Sequence, residues 1–466
     1  MNISRSFLLP AVACLAMTTI ARVAFAAAPS SEAVQAIADL LGDSDKDVRA
    51  LGLQQVREGA KGAEATKQFA ALLPKLAPNV QAELLAALAT RGDKAARPAI
   101  FDCLKSKEPP VRTAAILALG PLGEPADVPL LTQQLAAADK ERQNAAQTSL
   151  LQLCGPSISS AIAAELKPAE PELRMALIRI LESRRAADNV ADILPYVSDG
   201  DAGVRTAAMA ALGQLATPKD AARMVPGVLK AKPGAEREAA EKAVMFVCNR
   251  EKNAEKRAAP LLAAWKNLGE EQDNALLPTL GRVGGSETRK LVEAAMADAA
   301  PARREAAVRA LCNWPDASVA PRLVELVQNA KDAADRRAAQ QALARVAALP
   351  DKRSAAERLA MLKTAMTLAT SVEERNYVLK RAKAVRTVET LRFVVPFLGK
   401  PEYAQEACVA VVELAHHRAL RDANKAEFDK ALDVVIRTSK DAEIVDRATR
   451  YKKGQTRLLR SPTGGK

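Results

Sequence analysis

A short sequence pattern returns about every 31 residues through most of the chain. Each copy has an apolar residue, then a marker Arg or Gln, then apolar or small residues at the third, fourth and seventh places after the marker. That spacing puts the apolar side chains on one face of an α-helix. Another apolar stretch precedes each copy, so one period encodes two helices. Because a single helix pair cannot cover its own apolar face, the pattern predicts an all-α chain: an α-solenoid of about twelve stacked helix pairs.

The clearest copies of the pattern have their markers at Arg49, Gln81, Arg112, Arg174 and Arg205. Weaker copies have markers at Arg142, Arg237, Gln272, Arg304, Arg336, Arg375 and Gln405, and the weakest is at Arg447. Acidic residues precede several markers where a carboxylate can cap a helix N-terminus, namely Asp45, Glu108, Glu170, Asp201 and Asp332. Gly120 and Gly213 follow the apolar stripes, where glycine commonly ends a helix.

Two copies, PVRTAAILALGPLGEP around Arg112 and GVRTAAMAALGQLATP around Arg205, resemble the HEAT family, in particular its short bacterial type first recognised in phycobilin lyases. The resemblance implies a right-handed superhelix and a ladder between repeats, formed by the marker Arg and an Asp in the turn ahead. The residues that match this ladder are Asp43, Arg49, Arg112, Asp199, Arg205, Asp298 and Arg304. Because other repeats lack the Asp or have Gln for Arg, we expect an interrupted ladder. The resemblance also implies contacts between macromolecules and names no reaction.

The sequence divides into four parts. Residues 1–26 contain a single Arg near the start, an apolar run and the triplet Ala24-Phe25-Ala26, which is typical of a secretory signal peptide cleaved after Ala26. An uncleaved anchor is the alternative, although Pro10 and Arg22 interrupt the run. Residues 27–349 form the regular array, residues 350–453 a divergent array, and residues 454–466 a basic tail. We therefore expect an exported protein of the periplasm or extracellular space, with no membrane-spanning segment after cleavage.

The positive charge is concentrated at the C-terminus. The formal net charge is +13. Residues 447–466 contain no acid and carry the cations Arg447, Arg450, Lys452, Lys453, Arg457, Arg460 and Lys466. Two interpretations stay open: a solvated end, or an electrostatic tether to an anionic envelope surface. Because the tail holds so much of the charge, the array itself is close to neutral, which disfavours a long nucleic-acid groove.

The chain offers little material for catalysis. Its two His are adjacent, as His416 and His417, and no HExxH, GxSxG or GxxxxGK[ST] motif occurs. Beyond the leader, the cysteines are widely spaced and form no CxxC pair; they are Cys103, Cys154, Cys248, Cys312 and Cys408. We predict a protein that is not an enzyme, needs no metal or cofactor, and keeps its thiols unpaired, most of them as small buried residues.

The fifth and sixth positions after each marker are expected on the accessible face of the second helices. In the first half these positions are small or neutral, at Gln54, Gln55, Ala86, Ala87, Ala118, Gln147, Ala210 and Ala211; charged ones are Arg179, Lys242, Arg309, Lys380 and Arg381. A groove of this kind suits a protein or peptide. We therefore predict a scaffold or adaptor that binds a protein partner on its concave face. The alternative is a basic solenoid that binds a polyanion, either nucleic acid or an anionic envelope surface.

Overall fold

The computed structural model describes residues 30–456. Across that range the chain is built of helices and contains no β-strand, which confirms the predicted all-α class. It divides into two compact units, Met1–Ile162 and Ala163–Lys466. The predicted signal peptide lies outside the described residues, so its assignment stays a prediction.

The first unit contains the helices α1 (Ser31–Gly42), α2 (Lys46–Glu58), α3 (Ala63–Ala70), α4 (Pro78–Arg91), α5 (Arg97–Cys103), α6 (Pro109–Leu122), α7 (Val128–Leu135) and α8 (Lys140–Gln152). The boundary falls within α9 (Ile158–Ala164).

The second unit continues with α10 (Pro171–Ser183), α11 (Val190–Ile193), α12 (Ala202–Leu215), α13 (Ala221–Lys230), α14 (Ala235–Cys248), α15 (Ala259–Trp265), α16 (Glu270–Val283), α17 (Ser286–Met296) and α18 (Pro301–Cys312). It ends with α19 (Ala320–Asn329), α20 (Ala333–Ala347), α21 (Ala355–Leu368), α22 (Val372–Ala382), α23 (Val388–Val394), α24 (Ala404–His416), α25 (Arg418–Ala423), α26 (Lys425–Thr438) and α27 (Ala442–Lys452).

Helices alternate between two layers, as the period predicts. Within a repeat the first helix contacts the second, as α1 does α2, α13 does α14 and α19 does α20. Second helices contact those of neighbouring repeats: α2, α4, α6 and α8 do so in the first unit, and α10, α12, α14, α16, α18, α20, α22, α24 and α27 do so in the second. All of the sequence markers lie in these second helices. Each unit is therefore a stack of helix pairs whose interfaces are shared between neighbours.

Several first helices are interrupted by proline. Short 3-10 turns follow α3, α11 and α23 at Leu73–Lys75, Leu194–Ser198 and Val395–Phe397, and each turn contains a proline. Proline lacks the N–H that would continue the α-helix and crowds the carbonyl four residues earlier. Other 3-10 turns are Lys94–Ala96, Pro125–Asp127, Ala187–Asn189, Pro218–Asp220, Ala254–Lys256 and Ala317–Val319.

Aspartates cap several second helices, but the glutamates do not. The side chains of Asp45, Asp201 and Asp332 accept hydrogen bonds from N–H groups in the first turns of α2, α12 and α20. Glu108 and Glu170 occupy the equivalent N-cap positions without a capping side-chain bond. The expectation of carboxylate capping at those two positions was wrong, since the shorter aspartate is the side chain that suits this geometry.

Gly120 and Gly213 lie inside α6 and α12 and do not end them, contrary to the sequence prediction. A Cβ on Gly213 would stand 3.2 Å from the Ala243 Cβ on α14. Gly281 is tighter still, because a Cβ there would stand 2.3 Å from the Ala310 carbonyl oxygen on α18. These glycines therefore allow neighbouring second helices to approach closely.

The core of the second unit is continuous across residue 350, where the sequence predicts the start of the divergent array. Leu343 and Val346 before that point belong to the same buried cluster as Leu359 and Leu362 after it. The lengthened turn there links α20 to α21, and these two helices contact each other. The residue 350 boundary is thus a change of sequence character inside one compact unit.

Candidate interaction surface

The predicted ladder residues bond mainly to their own turns. The guanidinium of Arg49 donates to the Asp43 carbonyl at 3.0 Å, and that of Arg205 donates to the Asp199 carbonyl at 3.0 Å. Arg304 repeats the contact with the Asp298 carbonyl, and Arg112 donates to the Ser106 carbonyl. The carboxylates of Asp43, Asp199 and Asp298 instead accept N–H groups two residues later, at 2.8, 2.8 and 2.9 Å. Each turn is closed from both sides.

Between repeats, the marker arginines use varied acids. Arg174 reaches the Asp199 carboxylate of the next repeat at 3.1 Å, which is the ion pair that the resemblance implies. Arg49 pairs with Glu83 at 3.4 Å, and Arg205 with Glu236 at 2.7 Å. Those glutamates lie on the next second helix, so the ladder continues through residues that the Asp motif does not identify.

A second set of arginines binds the C-terminal ends of preceding second helices. Arg91 on α4 donates to the Val56 carbonyl of α2 at 2.8 Å. Arg250 donates to the Gly213 carbonyl at 2.7 Å, and Arg345 to the Trp314 carbonyl at 2.6 Å. Cations at helix C-termini satisfy free carbonyls and oppose the helix dipole. Sequence analysis missed this contact because the arginines stand at different distances from their markers.

The exposed face of the second helices is narrower than the sequence suggests. At the fifth position after the marker, Gln54, Ala86, Gln147 and Ala210 are exposed, as are Arg179, Lys242, Arg309 and Lys380. At the sixth position, Ala87, Ala118 and Ala211 are buried, which corrects the expectation that both positions line the surface. One helix turn advances 3.6 residues, so neighbouring helices cover the sixth position. Leu117 and Phe246 add exposed apolar side chains to this face, and Phe246 is 51% exposed.

A groove crosses α16 in the second unit. Its cavity has a volume of about 490 Å³. Ala275 and Pro278 of α16 lie along it, Arg237 of α14 borders one side, and Glu305 and Arg309 of α18 border the other. Small residues line its floor and charged residues of both signs its edges.

A buried carboxylate joins three second helices beside this groove. Glu241 of α14 has no exposed surface. Its two oxygens accept from Arg282 Nε of α16 at 2.9 Å and from Arg309 Nη2 of α18 at 2.6 Å. Two guanidinium groups compensate for burial of this negative charge. The side chains of α14 and α18 therefore meet over α16 and hold the three helices together.

The histidines and cysteines have structural surroundings. His416 Nδ1 lies 2.8 Å from the Tyr451 hydroxyl, and burial lowers the pKa of His417. Burial also raises the thiol pKa of Cys248 and Cys312 to about 12 and of Cys408 to about 11. Those thiols are protonated at neutral pH. All five described cysteines are free.

Two searches of residues 30–456 were negative. No group of three or more His, Cys, Asp or Glu side chains is placed to hold a metal ion. No helix in that range combines the length and apolar character needed to cross a bilayer.

The described part of the predicted tether belongs to the last repeat. Arg447 pairs with Glu413 at 2.9 Å, Arg450 pairs with Asp446 at 2.8 Å, and Lys452 pairs with Asp433. Lys453 is exposed. Arg457, Arg460 and Lys466 lie outside the described residues. The tether stays a prediction, and its most available charges are those at and beyond Lys453.

Comparison with known proteins identifies the repeats. The family model for HEAT repeats matches residues 66–151 and 159–245. These segments are HEAT repeats, which confirms the family resemblance carried by the copies at Arg112 and Arg205. No curated protein matches the chain.

Solved structures of karyopherins share the fold. The karyopherin Kap121p bound to the extreme C-terminus of the protein phosphatase Cdc14p aligns with a TM-score of 0.50 and 13% identity, over 87% of this chain and 54% of that chain. Kap121p on its own aligns with a TM-score of 0.50 and 13% identity, over 90% and 53%. The chain spans about half the length of these proteins. At this identity the likeness shows the HEAT-solenoid fold alone.

Proposed function

We propose that this protein is a non-enzymatic scaffold or adaptor that binds a protein partner on the exposed face of its second helices, the face expected to be concave. The observation that carries the proposal is the unbroken succession of second helices from α10 to α24 in the second unit, with a groove across α16. Repeats supply an extended surface, and its small and apolar side chains suit protein contacts. In the solved structure of the same fold, Kap121p holds the extreme C-terminus of another protein.

We further propose that the chain is exported through a cleaved signal peptide and acts in the periplasm or extracellular space. The basis is the apolar leader ending in Ala24-Phe25-Ala26. Mass spectrometry of the protein purified from fractionated cells should give an N-terminus at Ala27. A full-length chain in the cytosolic fraction would refute export.

Site-specific photocrosslinking tests the binding face. A crosslinking residue at Ala210, exposed on the second helix α12, should capture one discrete partner in cells. The matched control is Arg223, exposed on the first helix α13 of the neighbouring layer, which should give little or none of that adduct. Equal capture from both positions, or no adduct from Ala210 and other exposed second-helix positions, would contradict the proposal.

A further inference from the structure

Four guanidinium groups stand on four consecutive second helices of the second unit. Arg282 is on α16, Arg309 on α18, Arg345 on α20 and Arg381 on α22, and each of these helices contacts the next. We call these four residues the arginine row. Neighbouring helices lie about 10 Å apart, so the row crosses about 30 Å of surface.

Carboxylates neutralise only one end of the row. Glu241 binds Arg282 and Arg309. Arg345 donates instead to the carbonyls of Cys312 and Trp314. Neutral acceptors therefore leave the positive charge of Arg345 without a compensating acid among its hydrogen bonds.

Arg381 is likewise bonded to a neutral group. Its Nη2 donates to the Tyr377 hydroxyl at 2.6 Å, while its Nε is buried without a hydrogen-bond partner in the described structure. Lys380 is exposed beside it and adds a further cation. The α22 end of the row thus has donors and charge available to an anionic group.

The arginines are close enough to influence one another. Burial lowers the pKa of Arg345; the Tyr377 hydroxyl opposes that shift, and the charges of Arg381 and Arg282 lower the pKa further. All of these guanidinium groups remain charged at neutral pH. Their mutual repulsion would be relieved by a ligand carrying carboxylates.

Acidic residues on the same helices limit the length of an anionic ligand. Glu271, Glu305 and Glu373 are exposed near the N-terminal ends of α16, α18 and α22. Arg309 follows Glu305 by about one helix turn, or roughly 6 Å along the axis. A long polyanion that left the row would meet these carboxylates, whereas a short acidic run would not.

We propose that the arginine row binds a short acidic segment of the protein partner. The inference rests on the proposed function, because it assigns a chemistry to the partner on the same face. An extended chain rises about 3.3 Å per residue, so about ten residues would span the row. Carboxylates at intervals along that segment would meet the guanidinium groups, which favour bidentate pairing with carboxylates.

Fluorescence anisotropy with the mature protein tests the proposal. The probes are a labelled Asp/Glu-rich peptide of about ten residues, its Asn/Gln counterpart, and a single-stranded oligothymidylate of equal charge. The acidic peptide should bind best, and rising salt should weaken its binding. Lys380→Gln with Arg381→Gln should weaken it about tenfold, since two exposed charge contacts are lost.

A second variant and a matched control address folding. Arg309→Gln removes an exposed member of the row and should also weaken peptide binding, while Lys380→Gln with Arg381→Gln leaves the Glu241 contacts in place. The control is Lys290→Gln with Arg322→Gln, which removes two cations from first helices α17 and α19 and should leave affinity unchanged. Circular dichroism checks that all variants remain folded.

The outcomes separate this inference from the proposed function. Equal affinity for the acidic and amide peptides, or unchanged affinity in both row variants, would overturn it. Tighter binding of the oligothymidylate in competition with the peptide would overturn the class of partner. If either result accompanied partner capture at Ala210, the scaffold function would stand without an acidic segment. Absence of capture together with specific peptide binding would contradict the cellular scaffold role instead.

Discussion

Gly281 lies where α16 and α18 approach most closely, and a methyl group there would stand 2.3 Å from the Ala310 carbonyl oxygen. A backbone atom cannot turn aside as a flexible side chain can, so Gly281→Ala must force the helices apart. We expect a loss of about 1–3 kcal/mol in the free energy of unfolding. Urea denaturation followed by circular dichroism measures this loss.

Gly399→Ala is the control in the same unit, because nothing lies within 4 Å of its added Cβ. Its stability should stay near that of the parent protein. Equal stability of both variants would show that α16 and α18 are not held at this separation.

Glu241 provides a second residue-level prediction. Glu241→Gln keeps the side-chain shape but removes the charge between Arg282 and Arg309. The expected loss is about 3 kcal/mol, the lower end for a broken buried pair, because Arg309 is 45% exposed and can turn to solvent. Glu238→Gln, on the same helix but half exposed, should cost much less by the same denaturation measurement. Similar losses in both variants would show that burial of Glu241 has no special role.

At the scale of the element, each second helix has a narrow exposed line between buried stripes. On α12, Leu212 is fully buried whereas Ala210 is exposed. Leu212→Asp should therefore destabilise the second unit by several kcal/mol, since it buries a carboxylate without a partner. Hydrogen exchange should rise in α12 and in α10 and α14, which contact it.

Ala210→Asp introduces the same side chain on the same helix and should leave exchange nearly unchanged. If the two aspartates acted alike, the buried stripe of α12 would be assigned to the wrong face. Ala115, fully buried on α6, allows the same test in the first unit.

At the scale of the whole molecule, charge divides between the repeats and the end of the chain. Deleting residues 457–466 removes Arg457, Arg460 and Lys466 but leaves every described contact in place. If the tether exists, the truncated protein should bind anionic lipid vesicles less than the parent at low salt. Vesicle co-sedimentation measures the difference, and the melting temperature should not change.

Replacing the same three cations with Gln is the matched control for chain length, and it should reproduce the loss. Equal vesicle binding by parent, truncated and neutralised proteins would favour a solvated end. A fall in melting temperature would show that the deleted residues stabilise the last repeat.

The sequence by itself determined the helix-pair architecture. Apolar residues that recur with helical spacing leave each pair with an uncovered face, so stacking follows from the pattern alone. It also located every second helix, because the marker Arg or Gln stands near the start of each one. Asp45, Asp201 and Asp332 were recognisable as caps because capping is a local interaction between a side chain and the next few N–H groups.

Only the tertiary structure decided which distant residues meet. Glu241, Arg282 and Arg309 come from different repeats, and no local spacing relates them. The role of Gly281 likewise depends on the separation of two helices, which the sequence of either helix does not specify. Helix periodicity is encoded over a few residues, whereas ion pairs and close approaches depend on how each repeat is rotated against the next. That rotation results from side-chain volumes at the shared interfaces, so the surface that binds a partner emerges only when the repeats are stacked.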